Sequence, residues 1–189
     1  VEFLSKRKEL AGYKISLLGI CASAGYASEV AGKNPKVSRL MLVAPWLHDQ
    51  NIVKEIYGAL PGYGTNGVEG RIQSSDETKI VPVASSNNDR AAMYDPTSTW
   101  LDYYLNPDRG AIPQWKNEFN LSSWKEWLTY NGIKSAANIR VPTVIIHSET
   151  GAVPNGTKLF IKNLSHLPTV HWTTGTQFDF YDNKDKVNE

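Results

Sequence analysis

A single cysteine lies in a short turn whose composition suits nucleophilic chemistry. Cys21 has the small residues Gly19 and Ser23 two positions away on either side, and it follows an apolar run that ends near Leu18. Small flanks let a strand and a helix approach closely, so that the residue between them is held in a strained turn with its side chain clear of the sheet. The dipole of the following helix would favour a thiolate, and the N–H of Ala22 would donate to an oxyanion. The pattern predicts a cysteine nucleophile.

Two other interpretations of this turn are open. In a second register, Cys21 and Gly25 are the small flanks and Ser23 is the nucleophile. Glycine suits the first flank better than cysteine does, and the apolar run ends at the right distance, so we favour Cys21 over Ser23. In the third interpretation, Cys21 is an ordinary buried residue of a strand-to-helix turn, as most lone cysteines are.

Four apolar runs predict the strands that position this turn. They cover residues 14–20, 37–44, 141–147 and 169–172. Continuous runs of this kind are typical of strands buried on both faces of a parallel sheet. The alanine-rich segment 22–32 predicts a helix between the first two strands, which makes residues 14–44 a βαβ unit. Residues 155–164, which follow Pro154, predict a second crossover helix.

The middle of the chain differs from its two ends. Residues 51–140 are too long to be a simple connection between two strands. We therefore predict an inserted helical cap over 51–140, between core segments 1–50 and 141–189. A group of glycines between Gly62 and Gly70 follows no strand and precedes no clear helix, so we interpret these glycines as flexible.

Large aromatic residues are concentrated in the second half of this insertion, where eight fall between Trp100 and Tyr130. Such side chains can line a pocket for an apolar or aromatic substrate. Alternatively, they form the core of the insertion itself. The spacing of Trp124, Trp127 and Leu128 is typical of one apolar helix face, and it favours the second interpretation.

The charge balance restricts the partners of the protein. Lys and Arg total 20 and Asp and Glu total 19, a net charge of +1, which argues against general binding to a nucleic-acid backbone. The longest apolar run, residues 40–47, is too short to cross a bilayer, and no Cys/His cluster has metal-site spacing. We expect a small-molecule substrate, no metal or other cofactor, no nucleic acid and no membrane. Without a visible signal peptide we expect the cytoplasm, while the oligomeric state is open.

Four segments resemble the α/β-hydrolase superfamily, and within it the dienelactone-hydrolase-like branch, in which cysteine can occupy the turn after the strand. These segments are residues 19–26, 37–40, 139–149 and 172–182. The resemblance implies an α/β fold with a mostly parallel sheet flanked by helices. It also implies that the N-terminal strands of that fold are absent, together with the loop that gives a second oxyanion donor. We therefore expect this sequence to be the central part of a longer protein.

The resemblance places Gln177 where an active member has its catalytic histidine, in the context Gly175-Thr176-Gln177-Phe178-Asp179. An amide does not titrate near neutrality, so Gln177 cannot act as a general base. The position of the catalytic acid falls on Gly151. Glu149 or Asp49 is the predicted substitute, and a surface or loop-capping role is the alternative for both carboxylates.

The four histidines give no clear replacement for the missing base. His147 ends its strand at the catalytic edge and His48 is near the start of the insertion, whereas His166 and His171 are expected to be remote.

Two functions are compatible with these residues. In the first, Cys21 attacks a small ester, thioester or lactone and Gln177 hydrogen-bonds the substrate or intermediate, so acylation is feasible and deacylation is slow. In the second, the fold binds a ligand without hydrolysing it. Ser23, Tyr26 and Trp46 are the predicted substrate contacts in the first case.

Overall fold

The computed structural model describes residues 1–98 and 100–188, which form the following elements. The strands are β1 (Ile15–Ile20), β2 (Val37–Val43), β3 (Ile80–Val81), β4 (Ala84–Ser85), β5 (Met93–Tyr94), β6 (Phe119–Asn120), β7 (Thr143–Ser148) and β8 (Thr169–Thr173). The helices are α1 (Glu2–Ser5), α2 (Ser23–Lys33), α3 (Gln50–Tyr57), α4 (Gly67–Ser74), α5 (Asp102–Leu105), α6 (Ser123–Thr129), α7 (Pro154–Asn163), α8 (Asp179–Asp182) and α9 (Lys184–Asn188). Two 3₁₀ helices cover Lys8–Leu10 and Ile133–Asn138.

The four apolar runs form one parallel sheet in the order β1-β2-β7-β8. Helix α2 connects β1 to β2, and α7 connects β7 to β8. Parallel neighbours require such crossover connections, because the chain must return to the same end of the sheet. The predicted βαβ unit over residues 14–44 and the predicted second crossover helix are both confirmed.

The two faces of this sheet differ in burial. Leu40, Leu42 and Ile145 have no exposed surface, and α2 packs against β1 and β2 on their side. The register pairs Leu18 with Met41, and these two residues point to the opposite face. There Leu18 is 54% exposed and Met41 is 39% exposed, so the second face of the sheet is only partly covered by the described residues.

The chain divides into two compact units. The first contains residues 1–49 and 131–189, with the parallel sheet, and the second is Gln50–Tyr130. Residues 51–130 of the predicted insertion thus lie in the second unit and residues 131–140 in the first. That the second unit acts as a cap stays a prediction.

The second unit has an aromatic core of its own. Trp124 is buried, and its ring meets the edges of Tyr57 and Tyr63 at centroid distances of 5.5 and 6.0 Å. Leu128 is also buried on α6. The interpretation as core residues is confirmed for Trp124 and Leu128, whose side chains are buried, whereas Trp127 on the same helix is only half-buried.

The glycines before and inside α4 allow close packing, so three of them have a steric role in place of the flexible one predicted. A Cβ atom at Gly62 would lie 2.2 Å from the carbonyl oxygen of Asp89. A Cβ atom at Gly67 would lie 2.1 Å from the carbonyl oxygen of Tyr57, and one at Gly70 would lie 1.8 Å from that of Tyr63. No side chain fits at such distances, so glycine is required for α4 to approach residues 57–63.

Candidate active site at the carboxyl edge of the parallel sheet

Cys21 occupies a left-handed turn between β1 and α2. Its φ angle is +54°, a conformation that costs a non-glycine residue of the order of 1 kcal/mol or more. Backbone hydrogen bonds hold it there: the Cys21 N–H donates to the carbonyl of Val43 at 3.2 Å, and the Cys21 carbonyl accepts from the N–H groups of Trp46 at 2.9 Å and Ala24 at 3.1 Å. The side chain is half-buried. A strained residue directly after a strand has the geometry predicted for a nucleophile.

The flanks of this turn explain its composition. A Cβ atom at Gly19 would lie 2.6 Å from the Cα atom of Ala24, so only glycine allows α2 to pack this closely on β1. Ser23 begins α2, and its hydroxyl donates to the carbonyl of Ile20 and accepts from the N–H of Ile20, both at 2.8 Å. The strain therefore lies at Cys21, whereas the Ser23 hydroxyl is bound to the backbone of β1.

Ala22 precedes the helix and carries a polar group that the fold does not use. Among the residues that the structure describes, its backbone N–H has no hydrogen-bond partner. An unpaired N–H next to a nucleophile is the group that an oxyanion requires. At the same point the N-terminus of the 11-residue helix α2 supplies a positive partial charge.

Gln177 is buried, and its amide is bound to three different segments. Its Nε2 donates to the carbonyl of Ala44 and to the hydroxyl of Tyr181, each at 2.8 Å. Its Oε1 accepts from the N–H of Ala152 at 2.8 Å. A carbonyl can only accept and a backbone N–H can only donate, so these partners fix the orientation of the amide.

His147 fills the space next to the predicted acid position. Its ring is completely buried, and its Nε2 donates to the carbonyl of Ala152 at 3.0 Å. A Cβ atom at Gly151 would lie 2.6 Å from Cε1 and 2.9 Å from Nδ1 of this ring. Burial lowers the pKa of the His147 imidazole, and its Nδ1 has no partner within the described part of the chain. An acidic side chain at residue 151 has no room beside this neutral ring.

Glu149, the predicted substitute acid, is exposed and forms a surface cluster. Its carboxylate accepts from Lys158 at 2.8 Å and from the indole N–H of Trp172 at 3.0 Å. The hydrogen bond from Lys158 holds the pKa of Glu149 below its ordinary value. These contacts connect the loop after β7 to α7 and β8. They favour the alternative interpretation of Glu149, a surface or loop-capping role.

The three predicted substrate contacts lie at different distances from the turn. The backbone N–H of Trp46 bonds to Cys21, and its indole N–H donates to Nδ1 of the buried His48 at 3.0 Å. Ser23 adjoins Cys21 through the turn itself. Tyr26 lies one turn into α2 and is 51% exposed, and partial burial raises the pKa of its phenol.

Sequence reasoning missed two residues of this arrangement, and for Tyr181, which it expected to organise the final loop, it missed the contact with Gln177. Ala44 and Val153 have φ angles of +43° and +53°; Ala44 directly follows β2, as Cys21 follows β1, whereas Val153 lies five residues after β7 and directly precedes α7. Tyr181 binds the Gln177 amide. Alanine and valine give no sequence signal for left-handed backbone, so nothing in the sequence could have revealed the first two.

The structure gives two further observations on ligands and membranes. Within residues 1–98 and 100–188, no three His, Cys, Asp or Glu side chains are grouped as metal ligands would be. In the same residues, no helix combines the length and the hydropathy needed to cross a bilayer.

Comparison with known proteins identifies the fold. No protein-family profile matches the chain. The uncharacterised protein YcjY of Escherichia coli K12 is 27% identical to it over 204 residues, which cover 100% of this chain and 64% of that protein. The hypothetical protein PA2218 of Pseudomonas aeruginosa superimposes with a TM-score of 0.74 and 16% identity, covering 98% of this chain and 61% of that one. The α/β-hydrolase GrgF of a Penicillium species superimposes with a TM-score of 0.60 and 15% identity. The match covers 92% of this chain and 60% of GrgF.

The chain has an α/β-hydrolase fold. Other structures that share this fold with it are a monoacylglycerol lipase and a lipase-esterase related protein. The chain spans less than two thirds of the length of YcjY, PA2218 and GrgF. In the α/β-hydrolase fold a strand-to-helix turn presents the nucleophile, and Cys21 lies in the turn between β1 and α2.

Proposed function

We propose that this α/β-hydrolase-fold protein accepts an acyl group from a small ester, thioester or lactone onto Cys21. The observation that carries the proposal is the left-handed Cys21 at the β1–α2 turn, next to the unpaired N–H of Ala22. The dienelactone-hydrolase-like branch belongs to the same proposal, and its support is the cysteine-containing turn of residues 19–26.

The proposed chemistry begins with the thiolate of Cys21. Its sulfur attacks the substrate carbonyl carbon, the oxyanion accepts from the Ala22 N–H, and collapse expels an alkoxide or thiolate that takes a proton from water. The product is a thioester on Cys21. Hydrolysis of this thioester needs a base that activates water, and Gln177 cannot serve because an amide does not titrate near neutrality. We therefore expect the thioester on Cys21 to be hydrolysed slowly, or its acyl group to be transferred to another acceptor.

The remaining predicted site residues differ in how directly they are connected to Cys21. Trp46 is best placed to contact a substrate because its backbone bonds directly to Cys21. Ser23 and Tyr26 are proposed contacts on α2. For Glu149 the pairing with Lys158 and Trp172 supports loop organisation more than acid catalysis.

A second candidate function is binding of a ligand without covalent chemistry. Two observations favour it. Both N–H groups and the oxygen of the Gln177 amide are occupied by protein partners, and the ring of His147 leaves no space for an acid at Gly151. In this case the fold persists and Cys21 is a structural residue of the turn.

Reaction with p-nitrophenyl acetate separates the two candidates. We expect a burst of nitrophenolate with one acetyl group added per chain, measured by absorbance and intact mass. Cys21→Ala should abolish both signals. Ser23→Ala is the matched control, since it removes a hydroxyl from the same turn, and it should retain the adduct. Loss of the adduct in Ser23→Ala with retention in Cys21→Ala would assign the nucleophile to Ser23. Absence of any adduct would leave the non-covalent function.

A further inference from the structure

A short segment after β2 holds both backbone polar groups of Cys21. We define it as the β2 strap, residues 43–46. The carbonyl of Val43 accepts from the Cys21 N–H, and the N–H of Trp46 donates to the Cys21 carbonyl. The left-handed conformation of Cys21 thus depends on where the β2 strap lies.

The middle of the β2 strap is itself strained and is fixed from two sides. Ala44 has a φ angle of +43° and is completely buried. Its N–H donates to the carbonyl of Ile146 on β7 at 2.8 Å, and its carbonyl accepts from Nε2 of Gln177 at 2.8 Å. A strained residue persists only when its surroundings hold it, and the Gln177 amide is the side-chain group that holds this one.

Gln177 can act as an anchor because it is itself anchored. Its oxygen is bound to the N–H of Ala152 in the loop before α7, and its nitrogen also donates to the hydroxyl of Tyr181 on α8. Tyr181 packs against Phe178 with ring centroids 5.7 Å apart. The amide therefore joins the loops that follow β2 and β7 to α8.

We propose that Gln177 is a positioning residue for Cys21. Gln177 acts through the β2 strap and not by contact with substrate. Its N–H bond to Ala44 keeps residues 43–46 in place, and these residues keep Cys21 in the left-handed turn. The inference deepens the proposed function of the same site, yet it concerns the position of the thiol and can be tested without an ester.

Alkylation of the 189-residue chain by iodoacetamide, followed by intact mass, measures the presentation of the thiol directly. Gln177→Ala should slow modification of Cys21 by about tenfold, because relaxation of the strained turn would withdraw the thiol that this turn holds clear of the sheet. Amide hydrogen exchange should accelerate at Cys21 and Trp46, whose N–H groups bond across the strap. Unchanged alkylation together with unchanged exchange would overturn the proposal.

Ser148→Ala is the matched control. The hydroxyl of this buried residue donates to the carbonyl of Gly175, so it links β7 to the loop of Gln177 by a hydrogen bond that does not involve the β2 strap. We expect its alkylation rate to stay within about twofold of the wild type, as for an interaction outside the positioning path. An equal slowing in both variants would show a general loosening of these loops and would contradict the specific role of Gln177.

Gln177→Glu distinguishes the two halves of the amide. An ionised carboxylate still accepts from Ala152 but cannot donate to Ala44, whereas a protonated carboxyl can do both. The ratio of its alkylation rate to that of the wild type, both measured at the same pH, should therefore rise as the pH is lowered from about 8 to about 5, where the buried carboxyl becomes protonated. A ratio that does not change with pH would contradict the role of the Ala44 bond.

The ester experiment and the alkylation experiment test different proposals, and either one can fail while the other succeeds. If p-nitrophenyl acetate leaves no adduct but Gln177→Ala slows alkylation, the proposed function fails and the positioning role stands. If the adduct forms on Cys21 and the alkylation rate is the same in the wild type and in Gln177→Ala, the proposed function stands and the positioning role fails.

Discussion

Strain in the first unit is concentrated where neighbouring strands end. Cys21 and Ala44 have left-handed backbone and directly follow β1 and β2, and Val153, also left-handed, lies between β7 and α7. In open parallel sheets the carboxyl ends of the strands are where ligands bind. The strained residues Cys21 and Ala44 therefore support the proposal that this edge carries the site, independently of any motif.

His147 makes the stability of the protein depend on pH. Burial is the main cause that lowers the pKa of His147. The negative charge of Glu149 opposes this shift, and the positive charge of Lys158 adds to it. The unfolded chain, with an ordinary pKa near 6.5, takes up a proton that the folded chain refuses, so the free energy of unfolding falls as the pH drops below about 6.5. The slope from one such group is at most about 1.4 kcal/mol per pH unit.

His147→Gln tests this dependence, since glutamine keeps an N–H for the Ala152 carbonyl but does not titrate. Urea unfolding between about pH 7.5 and pH 5 should show a shallower loss of stability in the variant than in the wild type. The same slope in both proteins would mean that other groups cause the pH dependence.

The sequence predicted the Cys21 turn but not the contacts that hold it. Gly19 and the adjoining apolar run are local signals, and both have a steric basis that can be read from residue types. The bond from Gln177 to Ala44 joins residues 133 positions apart, and alanine offers only a carbonyl to it. Local patterns do not encode such pairings, so they depend on the tertiary fold.

At the level of elements, long apolar runs were predicted better than short ones. The four strands of the parallel sheet have continuous hydrophobic segments, and each was placed to within a few residues. In the second unit the strands have only two residues each, too short for a periodic pattern. Helix α4 was missed because its first residue and its fourth are glycines, which normally disfavour helices.

Arg71 on α4 organises the second unit, although the sequence singled out nothing at this position. Its guanidinium is buried and donates to the carbonyls of Gly67 at 3.0 Å and Pro61 at 3.3 Å. It also lies 4.3 Å from the ring centre of Tyr63. In the described residues no acidic side chain pairs with it, and burial lowers the pKa of Arg71. The cation is balanced by carbonyl dipoles and aromatic faces.

Arg71→Lys should therefore destabilise the second unit by about 3 kcal/mol or more, because a lysine ammonium cannot bridge the same carbonyls or stack on the ring. Urea unfolding followed by tryptophan fluorescence would measure the loss, since Trp124 and Trp127 lie in this unit. Arg109→Lys is the matched control: Arg109 pairs with Asp102 at the surface, and its replacement should cost less than about 1 kcal/mol. Equal effects of the two substitutions would contradict the special role of Arg71.

At the level of the whole molecule, the 189-residue chain leaves apolar side chains exposed on one face of the parallel sheet. Leu18 and Ile20 on β1 are 54% and 41% exposed, next to Met41 on β2. Among the described residues, β1 is also an edge of this sheet. An edge strand with exposed apolar side chains favours pairing with another chain, and a net charge of +1 provides little repulsion between copies of this chain.

Leu18→Lys should reduce concentration-dependent self-association, measured by sedimentation velocity, because a charge on an edge strand opposes edge pairing. Since Leu18 is mostly exposed, the free energy of unfolding should change by no more than about 0.5 kcal/mol. Leu17→Lys is the matched control on the same strand. Leu17 points to the face where its partner Leu40 is buried, so a charge there should cost about 2 kcal/mol or more. Association that is equally strong in the wild type and in Leu18→Lys would locate the contact elsewhere on the molecule.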